Sequence, residues 1–265
     1  MTSKTVPSGS MAHRLSVMGL LVTLGIVYGD IGTSPLYVMR AIIGATPVIT
    51  TDYIIGAVSC IIWTLTIQTT LKYVVLALRA DNKGEGGILA LYALVRKHGR
   101  GWLYLLAIIG ASTLVADGVI TPSITVLSAI EGLRAYEPST PVIPIAIAIL
   151  TVLFFIQQYG TSAIGKLFGP LMLLWFTMLG ILGLTHVGDS WMILRAFNPW
   201  YAIRLLTTSP EWFLILGAVF LCTTGAEALY SDLGHCGKQN IRVSWAFVKT
   251  MLICNYLGQG AWIIS

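Results

Sequence analysis

The feature that most limits what this chain can fold into is a carboxylate placed where lipid ought to be. An apolar run from Leu15 to Ile43 is long enough to cross a bilayer, which takes ~20 helical residues. Near its middle stands Gly29-Asp30-Ile31-Gly32-Thr33-Ser34-Pro35-Leu36-Tyr37. Proline removes a backbone donor and clashes with the preceding turn, and glycine tolerates unusual dihedrals at a cost in helix stability. The pattern predicts a helix broken at mid-membrane. The break frees backbone carbonyls beside the side-chain oxygens of Asp30, Thr33, Ser34 and Tyr37. In hydrocarbon such groups must be satisfied internally or line a cavity, a combination that suits a desolvated cation. The plainer alternative is a proline kink with an aspartate held in a helix–helix contact.

Six more apolar stretches follow, at about 53–78, 102–130, 141–158, 167–187, 211–230 and 241–264. An open sheet cannot cross lipid, so these are expected to be helices. Only 10% of residues are charged and 56% are hydrophobic, where a soluble domain carries roughly 25% charged residues. The expectation is an all-α integral membrane protein of about seven spans. Residues 1–13 are expected to form a disordered cytoplasmic tail, and 14–265 the transmembrane domain. Asp30 interrupts the first run and no small-residue cleavage site follows it, which argues against a signal peptide.

With the N-terminus in the cytoplasm, twelve of the sixteen lysines and arginines fall on or towards the inside, and Arg40, Arg134, Arg195 and Arg204 fall outside. This positive-inside bias supports an odd number of spans. It also explains the net charge of +5 without nucleic acid as a partner. The loop Arg79-Ala80-Asp81-Asn82-Lys83-Gly84-Glu85-Gly86-Gly87 is glycine-rich but lacks the phosphate-loop pattern and a preceding strand, so a tight charged hinge is expected there. The four cysteines form no CxxC pair and read as buried free thiols. His235-Cys236 has no second ligand pair nearby and is read as incidental.

Two further polar clusters interrupt apolar spans. In Asp117-Gly118-Val119-Ile120-Thr121-Pro122-Ser123-Ile124-Thr125, the residues Asp117, Thr121 and Thr125 recur every four positions and share one helical face. Pro122 is expected to kink that helix and expose the Gly118 carbonyl. Glu131, at the end of the same span, is read as structural. Thr223-Thr224-Gly225-Ala226-Glu227-Ala228-Leu229-Tyr230 makes a second helix break plausible. Asp30, Asp117 and Glu227 could each cost ~2.5–3.5 kcal/mol at the bilayer centre, and no lysine or arginine is expected at their depth. Three such acids make sense if they converge on one aqueous cavity and hold cations or protons.

GDIGTSPLY, RADNKGEGG, DGVITPSITVLSAIEGL and GAEALYSDLGH, in this order, resemble the KUP/HAK/KT potassium uptake family, with similarity from about residue 14 onward. The resemblance implies a LeuT-like fold of the amino acid–polyamine–organocation superfamily. Two inverted five-helix repeats are implied, with the first and sixth helices broken at mid-membrane. It also implies proton-coupled potassium symport in the plasma membrane. Carried over by motif, the potassium-site residues are Asp30, Tyr37, Asp117, Thr121, Thr125, Thr224 and Glu227. Asp30, Tyr37, Thr121 and Thr125 would coordinate the ion with freed carbonyls, while Asp117 and Glu227 would supply charge and carry the proton. Glu227 is preferred as proton carrier because the sixth span puts it nearer the inner cavity.

Two departures stand out. Gly118 sits where some family members have an aromatic residue after the third-span acid. Family members also continue for several more helices and a cytosolic domain, whereas this sequence ends at Ser265, so it reads as the N-terminal part. Potassium and the proton are the expected substrates, the bilayer the expected surroundings, and a homodimer is left open. No cofactor and no enzymatic activity are expected. The alternatives are a transporter of the same fold for an organic substrate, and a non-transporting or regulatory membrane fragment. Three acids in the cavity oppose an amino-acid carboxylate, and no TVGYG-like filter supports an open potassium channel.

Overall fold

The computed structural model describes residues 15–96, 101–157 and 161–265, of which 156–157 and 161–167 are described as backbone only. The expected tail over 1–13 lies outside the described residues, as do Lys4, Arg14, Lys97, Arg100 and the side chain of Lys166. The described residues are helical, with no strand and a single isolated bridge between Asn82 and Glu85.

The first apolar run is divided three ways. Helix α1 (Val17–Val27) is followed by α2 (Gly29–Thr33), a 3-10 turn over Ser34–Leu36, and α3 (Val38–Gly44). The chain bends by 69° between Val17–Val27 and Gly29–Leu36. The bend therefore falls at Tyr28, ahead of the proline, which sits in the 3-10 turn. Helix α4 (Thr51–Thr64) continues as a π-helix over Leu65–Leu76 and ends in a 3-10 turn over Ala77–Arg79. Short α5 (Ile88–Val95) precedes α6 (Trp102–Glu131), which runs unbroken through Pro122. Pro122 lies inside this helix, where its missing donor falls in the middle of 30 continuous helical residues.

Helices α7 (Val142–Gln157) and α8 (Thr161–Val187) follow, then a 3-10 stretch over Trp191–Phe197 and α9 (Pro199–Thr208). Helix α10 (Trp212–Phe220) passes through a 3-10 turn at Leu221–Thr223 and an irregular link before α11 (Ala228–Ser231), α12 (Leu233–Cys236) and α13 (Lys238–Ile264). The described residues of all seven apolar stretches are thus helical apart from short turns and links. By length and composition, four described stretches are able to cross a membrane: Thr51–Arg79, Trp102–Ala135, Phe168–Val187 and Trp212–Ser231. The bent pair makes a fifth if counted as one span. The apolar part of α7 is short, and α13 is long enough but carries Lys238, Asn240, Arg242, Lys249, Asn255 and Gln259.

Helices α1, α8 and α13 form the central packing unit. Tyr28 is fully buried between Phe176, edge-on at 6.4 Å between ring centroids, and Trp245, stacked at 6.3 Å. Its hydroxyl donates to the Ile241 carbonyl at 2.9 Å and lies 3.0 Å from Ser244 Oγ. Helices α8 and α13 cross where Gly183 faces Gly258, so closely that a Cβ on Gly258 would stand 2.5 Å from the Gly183 Cα. Small residues permit this approach of two backbones.

Ion pairs mark both ends of the bundle. At one end Arg40 pairs with Glu131 at 2.6 Å and Arg204 with Asp52 at 3.2 Å. At the other, Lys238 pairs with Asp81, and the Tyr230 hydroxyl donates to the Ala80 carbonyl. The glycine-rich loop there is a tight turn: Asn82 and Glu85 exchange backbone hydrogen bonds of 2.9 and 3.0 Å, and Asp81 accepts from the Gly84 amide at 3.0 Å. The hydrogen bond from Lys238 holds the Asp81 carboxyl below the usual carboxylate range.

Candidate ion-binding site

The site is built where the two interrupted spans touch. Gly225 has φ +84°, a left-handed conformation that costs an L-residue energy, and it lies directly against Asp30. A Cβ at Gly225 would stand 2.5 Å from the Asp30 Cβ and 3.0 Å from the Ile31 amide nitrogen. The glycine therefore lets the sixth-span break press onto the first.

The stripe on α6 closes the third side. Thr121 donates to the Asp117 carboxylate at 2.8 Å. One turn on, Thr125 Oγ1 lies 3.2 Å from Thr33 Oγ1, and Thr33 in turn donates to the Asp30 carbonyl at 2.8 Å. Thr33 is thus the bridge between the two motifs. Tyr37 lies 3.4 Å from Ser34 Oγ and within hydrogen-bonding reach of Thr224.

Asp117 and Glu227 come within hydrogen-bonding reach of each other, and Asp30 is near enough to interact electrostatically with both. Asp117, Thr224 and Glu227 line one cavity of about 640 Å³, with Tyr73, Thr223 and Tyr230. Lys72 lines the same cavity, its ammonium 4.7 Å above the Tyr73 ring. Lys72, exposed in the π-helical part of the second span, is the one basic residue of that lining. Asp30, Tyr37, Thr121 and Thr125 are not part of that lining; they are gathered at its edge by the Thr33 bridge and by Gly225.

The freed carbonyls of the first break are largely occupied. The Trp175 indole donates to the Gly32 carbonyl at 2.8 Å, and Gln259 donates to the Pro35 carbonyl at 3.0 Å. Neither residue stands out in the sequence, because each reaches the break from a distant helix. In the sixth span, Thr224 Oγ1 donates to the Leu221 carbonyl at 2.9 Å and Thr223 Oγ1 to the Phe220 carbonyl at 2.8 Å. A carbonyl has two lone pairs, so an occupied one can still face an ion.

Among the described residues no three His, Cys, Asp or Glu side chains gather closely enough to hold a metal ion by themselves. A divalent cage collects several carboxylates around one point. Here the acids are spread among hydroxyls and carbonyls, a donor set suited to a hard cation of low charge. Cys60, Cys222 and Cys236 are buried and Cys254 half-buried, all as free thiols.

Residues 17–265 match the family model described as the K+ potassium transporter integral membrane domain. The chain belongs to the KUP/HAK/KT family of potassium transporters. It is 59% identical over 252 residues to a probable potassium transport system protein Kup of Flavobacterium psychrophilum, covering 95% of this chain and 38% of that protein. A protein of the same name from Flavobacterium johnsoniae is 58% identical, with 96% and 39% covered. One from Enterococcus faecalis is 53% identical, with 96% and 40% covered. The chain spans about two fifths of the length of these KUP relatives, which are named for transport rather than for a catalysed reaction. No solved structure matches it.

Proposed function

We propose that the protein containing this chain imports potassium across the plasma membrane by proton-coupled symport. The fold proposed is LeuT-like, with seven spans in this chain, a cytoplasmic N-terminus, and the first and sixth helices interrupted. Asp30, Tyr37, Thr121 and Thr125 coordinate potassium with carbonyls of the breaks, Thr224 braces Tyr37, and Asp117 and Glu227 carry charge and proton. The observation that carries this reading is the pairing of Asp117 with Glu227 in one cavity beside the touching breaks. Two neighbouring carboxyl groups disfavour a second negative charge, which suits a site that takes up a proton as well as a cation. Movement of one helix group against another around this site supplies alternating access.

The test is potassium uptake into liposomes by the full reading frame that encodes this chain. Uptake is expected to rise with an inward proton gradient and to be inhibited competitively by rubidium. Uptake indifferent to the gradient would remove the proton coupling, and uptake untouched by saturating rubidium would remove the shared oxygen site.

A further inference from the structure

Among the described residues, two buried side-chain oxygens lack any hydrogen-bond partner: Thr69 Oγ1 and Tyr256 OH. An unbonded buried hydroxyl is costly, about 1–3 kcal/mol, and its location shows what such a group is kept for. Tyr256 is 0% exposed and lies on α13. Its hydroxyl is near enough to interact with Tyr37, which follows the first-span turn, and with Cys222, which lies in the sixth-span turn. Tyr256 therefore stands behind both breaks at once.

The helix that carries it is firmly placed. On one flank Asn255 donates to the Leu179 carbonyl at 3.0 Å. One turn on, Gln259 donates to the Pro35 carbonyl at 3.0 Å and to Asn255 Oδ1 at 2.7 Å. The neighbours of Tyr256 are thus spent on holding α8 and the first break, while its own hydroxyl has no hydrogen-bond partner among the described residues. A phenylalanine would fill the same space without that cost.

We infer that Tyr256 is a positioning residue of the ion site: sealed from solvent and unbonded in this arrangement, its hydroxyl takes Tyr37 as its partner when the site is loaded and so sets Tyr37 against the sixth-span break. The inference rests on the potassium reading above. It is outside the set of side chains expected to touch the ion, and it assigns the seventh apolar helix a part in ion affinity.

The test is Tyr256→Phe in the full reading frame, with potassium uptake in liposomes and thermal unfolding of purified protein in potassium-free buffer. Removing one neutral hydrogen bond that forms with the loaded site is expected to raise KM for potassium about three- to tenfold. The maximal rate should change less, and potassium-free unfolding should stay level or move to higher temperature because the orphan hydroxyl is gone. An unchanged KM alongside saturable wild-type uptake overturns the role of Tyr256 and leaves the potassium reading standing. Wild-type protein without saturable potassium uptake removes both. Loss of folding in Tyr256→Phe also overturns the inference, since a hydroxyl without a partner in the chain cannot be needed to fold it.

Discussion

Gly225→Ala is the most demanding perturbation of the site as built here. The residue sits at φ +84°, where an L side chain costs roughly 1–2 kcal/mol. Its new Cβ would also stand 2.5 Å from the Asp30 Cβ and 3.0 Å from the Ile31 nitrogen, so one break must retreat from the other. Such overpacking adds about 1–3 kcal/mol, giving a loss of roughly 2–5 kcal/mol in all. Within the first motif the same substitution should grade by its surroundings. At Gly32 the Cβ would meet the ends of Phe176 and Met172, at 2.8 and 2.9 Å, which are side chains able to yield. At Gly29 no described atom lies within 4 Å, and alanine in a helical turn is neutral or favourable by up to ~1 kcal/mol. Detergent-solubilised full-length protein, followed by thermal unfolding and by uptake in liposomes, should therefore rank Gly225→Ala worst, Gly32→Ala intermediate and Gly29→Ala close to wild type. Normal stability and uptake in Gly225→Ala would refute the claim that the two breaks are pressed together at that glycine.

Asp30→Asn should express normally and lower potassium uptake to near background, because it keeps the shape and removes a charge from the proposed site; wild-type uptake would return Asp30 to a packing role. Glu227→Gln, which imitates the protonated acid, should lose dependence on the proton gradient while retaining some potassium-protectable stability. The same gradient dependence in that variant would pass the proton to Asp117 or Asp30. At the loop, Lys238 depresses the Asp81 carboxyl, so the pair contributes above the unfolded aspartate pKa and is lost as pH falls through the lower folded value. Hydrogen exchange of residues 80–87 should show Lys238→Ala loosening the loop at neutral pH by under ~1 kcal/mol, the usual worth of an exposed pair. The difference should disappear in acid below the ordinary carboxylate range, and an effect that instead grew on acidification would contradict it.

The sequence disclosed what is local. Polar residues in apolar runs marked both interrupted spans, and a four-residue spacing placed Asp117, Thr121 and Thr125 on one face of a continuous helix. The bend itself is at Tyr28 because a fully buried, doubly bonded tyrosine fixes the chain there, a contact across more than two hundred residues. The π-helical turn of Leu65–Leu76 was not legible, since the change in winding leaves the apolar composition untouched. Helix α9 lay unread between apolar stretches because it is short and rests on α4, with Ser59 donating to Asn198 at 3.0 Å beside its start. Thr33, Trp175 and Gln259 have ordinary local contexts, and only tertiary packing gives them their partners.

The hydrogen bonds from Trp175 and Gln259 to the Gly32 and Pro35 carbonyls have a consequence for how quickly such a site can be used. The broken segment is held in its shape by side chains of α8 and α13. A ligand arriving at a preorganised ring of oxygens avoids the entropy of arranging them, so affinity is not drained into ordering the backbone. Both donors belong to the chain itself, so the bracing does not draw on whatever occupies the site.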